Sequence, residues 1–253
     1  MKRNPMLIRF AGIGVLAMVI GLWWLASTIQ LISPVFLPTP KATLDVLWDG
    51  VLHGETGRQT LATVERMVYG WLLASLAGIL LGAIIGVSPT TRRLLQPTLE
   101  FIRPLPASAI IPVAISLFGL TESMVLSVIG FGAIWPVLLA TVNGFASVEP
   151  RLGEVARVLH MSRIAFIIKI GLPNALPDIF AGLRLSLTVA LIVAVVGEML
   201  TSQQGLGLAI LLAARTFQSA ELFAGIALLG MIGFLSNLLL RTGESRVLAW
   251  KTN

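Results

Sequence analysis

The 253-residue sequence predicts an all-α integral membrane protein with six transmembrane helices. Three observations carry that expectation. The chain is 56% hydrophobic and 12% charged, about half the charged share of a soluble domain, and its mean hydropathy is +0.92. Phe10 to Pro40, Met67 to Thr91, Pro104 to Thr121, Ser123 to Val148 and Leu222 to Leu240 carry no charged residue. The run from Leu76 to Gly86 has no polar face, as a soluble helix would, and no two-residue alternation, as a barrel strand would. With no cysteine and one tyrosine, the composition excludes a disordered chain, a disulfide-stapled domain and a cysteine zinc site.

A spanning helix needs roughly 20 apolar residues to cross about 30 Å of hydrocarbon. The runs place spans near 10–33, 67–87, 104–120, 123–146, 179–200 and 221–240. The first follows Met1-Lys2-Arg3-Asn4 and is too long for a signal peptide; it reads as an uncleaved span. Gly78, Gly82 and Gly86, four residues apart, let a neighbouring helix approach the second. Pro104, Pro106 and Pro112 interrupt the third. The fifth is apolar apart from Arg184 and Glu198 near its ends, where long side chains reach the interface.

Basic residues set the orientation. Lys2, Arg3 and Arg9, then Arg92, Arg93 and Arg103, then Arg151, Arg157, Arg163 and Lys169, then Arg241, Arg246 and Lys251 fall on one side. Lys41, Arg58, Arg66 and Arg215 fall on the other, among Asp45, Asp49, Glu55 and Glu65. Both termini are therefore expected in the cytoplasm. The net charge of +6 follows from this topology; no basic domain exists to hold nucleic acid. On the outer side, residues 42–52 set Leu44, Leu47 and Val51 at helical spacing with Asp45 and Asp49 on another face, before Gly54 and Gly57 break the pattern. That reads as a short surface or packed helix, with the second span extended outward from about Gln59.

The sequence carries no motor and no catalytic set. No lysine follows a glycine as a phosphate-binding loop requires. The two histidines, His53 and His160, fall in predicted loops, and no G-x-S-x-G occurs. Spans one, two, four and six have no interior carboxylate or histidine, the usual carriers of an ion relay. These absences argue against an intramembrane enzyme, and against a stand-alone channel or secondary transporter, the alternative weighed here.

Residues 149–178 form the longest connection on the basic side. Glu149-Pro150 suits a helix start, residues 151–159 read as a short helix, and Ser162 caps a second over 162–170. Pro173 and Pro177 end the pattern. Val155, Val158, Leu159, Met161, Ile164, Phe166 and Ile167 make the loop apolar for water; it docks a partner or rests on lipid headgroups.

The spacing of Glu154, Ala156, Ile170, Leu172 and Pro173 resembles E-A-A-x3-G-x9-I-x-L-P, the Glu-Ala-Ala loop of ABC-importer permeases of the binding-protein-dependent class. Val155 and His160 stand where that pattern has alanine and glycine. Arg103-Pro104-Leu105-Pro106, Phe118-Gly119-Leu120-Thr121-Glu122, Gly197-Glu198-Met199-Leu200 and Gly205-Leu206-Gly207 look like its nitrate, sulfonate and taurine branch. The resemblance implies a type I importer permease fold over residues 1–253 as one transmembrane domain, in the bacterial inner membrane. It implies a dimer of identical chains, with two ATPase subunits and an extracytoplasmic binding protein.

ATP and magnesium would sit on the ATPase subunits, with no cofactor in this chain. The 149–173 stretch would be the coupling loop: Glu154 contacts the ATPase, Ala156 permits close packing beside Val155 and Leu159, His160 marks the bend, and Ile170, Leu172 and Pro173 anchor the end. Pro104, Pro106 and Pro112 would shape the pathway by freeing backbone carbonyls. Glu198 and the glycine turn would lie at the outer mouth; plain helix-ending punctuation is the alternative for the glycines.

Overall fold

The computed structural model describes residues 5–52 and 54–251. Lys2, Arg3 and His53 lie outside the described residues. Helix α1 spans Pro5–Thr28 and α2 Pro40–Leu52, followed by α3 (Thr56–Val87), α4 (Pro89–Ile102), α5 (Ala107–Phe118) and α6 (Glu122–Ala146). Then come α7 (Pro150–Val158), α8 (Arg163–Phe166), α9 (Leu172–Thr201), α10 (Leu206–Arg215) and α11 (Ser219–Val247). No strand occurs among the described residues.

Helix α6 is the centre, packed between α3 and α9. Its backbone lies close to both because the facing positions lack side chains. A Cβ at Gly78 would sit 3.1 Å from the Ile134 carbonyl oxygen, one at Gly82 2.6 Å from Thr141 Cβ, and one at Gly86 2.8 Å from Phe145 Cβ. On the other flank, a Cβ at Gly182 would sit 2.9 Å from the Pro136 carbonyl oxygen. The glycine stripe thus receives α6, as the spacing predicts. Lipid gives apolar helices no hydrophobic reason to associate, so packing and polar contacts must hold them. Two such contacts cross the bundle: Ser186 Oγ donates to the Ala133 carbonyl at 2.6 Å, and Trp71 Nε1 to that of Leu183 at 3.1 Å.

Four described segments are long and apolar enough to cross a membrane: Thr56–Val87, Glu122–Ala146, Arg163–Thr201 and Ser219–Val247. The expected third span, 104–120, differs. Its helix α5 has 12 residues, about 18 Å at 1.5 Å per residue, too short to cross alone. It is bent by 90° from α4, and the pair makes a broken span or a re-entrant loop. Pro104 and Pro106 bracket the bend because neither can donate a backbone hydrogen bond across it. The expected loop after the second span is instead α4, capped by Ser88 Oγ accepting from Thr91 N.

Three further boundaries shift. Gly57 lies inside α3 rather than breaking the helix; the outward extension of that span is real. Pro173 and Pro177 do not end a pattern, since both lie in α9. Pro173 occupies the first turn, where a missing N–H is harmless, and a π-helical turn, Ile167–Gly171, joins α8 to α9. The expected first span ends earlier, at Thr28, and Gly14–Thr28 is a short apolar helix among the described residues. Val15, Leu16, Met18, Val19 and Leu22 are all more than half exposed. Helix α1 is held at its far end, where Trp23 Nε1 donates to the Pro38 carbonyl at 2.9 Å and its ring stacks on Phe223.

The packing yields a paired expectation. Gly82→Val lowers thermal stability in detergent by about 1–3 kcal/mol, the range for overpacking. Gly130→Ala, where a Cβ meets nothing within 4 Å, leaves it unchanged or raises it. Equal melting of the two variants would contradict the glycine contact.

Candidate functional site: the elbow, the cavity and the buried carboxylate

Three places hold the residues singled out from sequence. The first is the connection between α6 and α9. Helix α7 ends in a Schellman turn: His160 N donates to the Arg157 carbonyl at 3.0 Å and Met161 N to that of Ala156 at 2.9 Å. That turn needs a left-handed residue, and His160 supplies it with φ of 50°. The bend therefore keeps the conformation that glycine adopts most easily, with an exposed imidazole on it. Ser162 Oγ then caps α8 by accepting from Ala165 N at 3.2 Å.

Glu154 is exposed on α7. Val155, Val158, Leu159 and Ile164 are exposed as well, Val158 at 77% and Ile164 at 70%. Ala156 alone on this helix is buried, at 5%. Its small side chain is covered by its own chain, not held out for a partner. Ile170 and Pro173 are half-buried and Leu172 is 36% exposed. The tightest anchoring comes from two residues the sequence reading missed. Asn174 Nδ2 donates to the Gly144 carbonyl at 3.0 Å and to Ser147 Oγ at 3.1 Å. Ala175, fully buried, lies where a Cβ on Gly144 would come within 2.8 Å of its Cα. An asparagine just after a loop proline was the available signal.

The second place is a cavity of about 590 Å³ between α5, α6 and α9. Pro104, Pro106 and Pro112 do not line it; Arg103, Leu105, Ala107 and Ser108, the residues among and beside the first two, do. The prolines shape the turn and their neighbours face the space.

The third place is the opposite end of the bundle. Glu198, expected at the outer mouth, is fully buried and does not line the cavity. Thr63 Oγ1 lies 2.9 Å from both of its carboxylate oxygens, and Arg66 Nη1 donates at 3.0 Å. Gly207 N, in the first turn of α10, donates at 2.9 Å, where a carboxylate suits the helix dipole. Thr63 Oγ1 also accepts from Leu206 N at 2.9 Å. Arg66 goes on to the Gln204 carbonyl at 2.6 Å and to Glu122 Oε1 at 3.4 Å. One buried charge thus ties together α3, α9, the α9–α10 turn, α10 and the start of α6.

The glycines at 205 and 207 follow from this: a Cβ at Gly205 would collide with the Glu198 carboxylate, and one at Gly207 with the Val195 carbonyl oxygen on the same turn of α9. They are more than helix-ending punctuation. Thr63 and Arg66, three residues apart on one helix face, were the signal for the partners of a lone buried acid.

The chain matches the family described as binding-protein-dependent transport system inner membrane component over residues 75–247. It belongs to that family. This permease is 34% identical over 237 residues to a Bacillus subtilis protein named for aliphatic sulfonates transport, the permease SsuC, with 94% of this chain and 86% of that one covered. It is 33% identical over 243 residues to the taurine transport system permease protein TauC of Escherichia coli, covering 94% and 88%. To the nitrate import permease protein NrtB of Leptolyngbya laminosa it is 30% identical over 233 residues, covering 90% and 84%. Its fold is that of a chain of the MetNI methionine ABC transporter in an inward-facing conformation, with a TM-score of 0.64 at 16% identity, covering 75% of this chain and 93% of that one.

The chain is thus a multi-pass membrane permease of an ABC importer, a non-catalytic transport subunit, in the branch its motifs resemble. Family membership brings ATPase and solute-binding partners with it.

The buried carboxylate gives a second expectation. Glu198→Ala leaves the Gly207 amide without its acceptor and Arg66 without its buried partner, and lowers stability by about 3–5 kcal/mol, the range for breaking a buried pair. Thermal melts in detergent measure it. In a double-mutant cycle, Thr63→Ala and Glu198→Ala fall short of additivity; full additivity would show that the hydroxyl and carboxylate act independently.

Proposed function

We propose that this permease forms, with a second copy of itself, the passage for a small organic sulfonate, taurine or a nitrate-like anion, driven through the elbow at 149–173. The exposed apolar face of α7 and α8, with Glu154 beside it, carries the coupling reading. An apolar face of that kind on a polar-side connection is a docking surface, and it coincides with the Glu-Ala-Ala spacing. Two ATPase subunits hold ATP and magnesium and grip the elbows. Closing the ATPase pair brings the elbows together and opens the passage outward to the binding protein; hydrolysis returns it inward. A gate whose two states differ by a few kcal/mol is switched by such differential binding.

The chain acts as a single transmembrane domain in the bacterial inner membrane. Six crossings, counting α1 and the broken α4–α5 pair, put both termini in the cytoplasm. The basic side then carries α4, the elbow and the end of α11, in keeping with the positive-inside rule. The solute rests on the names of the relatives.

Tagged permease co-expressed with its ATPase tests the coupling. Val158→Asp and Glu154→Arg each reduce ATPase co-purification at least about tenfold, equivalent to 1.4 kcal/mol, while the permease still enters the membrane. Unchanged co-purification with both would remove the elbow from the interface. Uptake of taurine, ethanesulfonate and nitrate, in cells lacking and then regaining the chain, assigns the solute.

A further inference from the structure

The polar lining of the 590 Å³ cavity is one-sided in its chemistry. Arg103, Ser108 and Asn143 supply it, and no carboxylate lines it. All three can donate hydrogen bonds. Arg103 makes no ion pair among the described residues. Ala107 and Ser108 line the space from the first turn of α5, a turn that Pro106 starts with no side-chain cap. A second cavity of about 230 Å³ shares Arg103, Leu139 and Asn143 and adds Arg92. Its one carboxylate, Glu100, accepts from Gln96 at 2.8 Å. The shared wall places Arg103 and Asn143 between two adjacent spaces toward the elbow end of the bundle.

We propose that Arg103, with Ser108 and Asn143, forms a transit site for a small oxyanion on its way through the permease, a proposal that rests on the passage reading above. An unpaired charge in an apolar cavity is costly. A single guanidinium with neutral donors lowers that cost. One cation rather than a cluster also lets the anion leave, which passage requires. The site discriminates by charge sign, not by the shape of the organic group; the apolar remainder of the wall accepts a methyl, an ethyl or nothing.

The chain contains no cysteine, so Ser108→Cys introduces a lone thiol. The assembled complex with its ATPase and binding protein is treated with 2-sulfonatoethyl or 2-trimethylammonioethyl methanethiosulfonate, each rate divided by that for free 2-mercaptoethanol. The anionic reagent reacts about tenfold faster after this correction, the scale of charge focusing in a low-dielectric cleft. Arg103→Gln abolishes the preference. Arg93→Gln, an exposed position on α4 that lines neither cavity, preserves it. Asn143→Cys serves as a second reporter should Ser108→Cys fail to assemble.

Equal corrected rates, or a preference that survives Arg103→Gln, overturn the site. Uptake separates this result from the solute assignment. If the parent complex imports taurine or nitrate and the thiol shows no charge preference, the transit site fails alone. If the preference is present and none of the tested anions is imported, the solute assignment fails and the transit site stands.

Discussion

Close backbone contact between α6 and its two neighbours is the constraint on which the rest of this permease depends. Water drives apolar helices together in a soluble protein; lipid does not. Here the association needs surfaces that meet without intervening side chains, and Gly78, Gly82, Gly86 and Gly182 provide them. The stripe fixes the rotation of α3 about its axis, because only one face has room for another backbone. With that rotation fixed, Thr63 and Arg66 come round to Glu198 at one end. At the other end, α6 and α9 hold the cavity and the elbow between them.

The two ends differ in how they are fastened. The Glu198 end is locked by charge-assisted hydrogen bonds buried against five pieces of chain, with glycines admitting the carboxylate. The elbow end is fastened more lightly, by Asn174 on two acceptors and by Ala175 against Gly144. Beyond those contacts Ile167 packs on the Phe145 cluster, while Val155, Val158, Leu159 and Ile164 stand exposed. One end thus offers exposed apolar side chains, and the other keeps the helices in register.

Most of the architecture was legible in the sequence because lipid imposes a coarse grammar. Charge-free runs gave the long helices, the four-residue glycine spacing gave the α3–α6 contact, and Glu154 to Pro173 gave the elbow and the family. Span 104–120 was the weak place, and the structure shows why. Proline spacing announces a break, but not the 90° by which α5 turns from α4, because that angle is set by what α5 packs on. Pro173 and Pro177 misled for a related reason: a proline in the first turn, preceded by a π-helical turn, continues a helix it would otherwise end. Glu198 was visible as a lone acid in an apolar segment, yet its side-chain partners, Thr63 and Arg66, lie more than 130 residues earlier in the chain. Tertiary placement of that kind leaves only a faint trace, two polar residues three apart on a distant helix.

His160 carries a mechanical consequence. A glycine at the corner between α7 and α8 could swing between mirror-image backbone conformations; a histidine with φ of 50° has only one left-handed well to occupy. The corner therefore behaves as a stiff crank and not as a swivel. Displacement applied to α7 is carried into α8 and on to α9 as rotation of a rigid piece, with little slack absorbed at the joint.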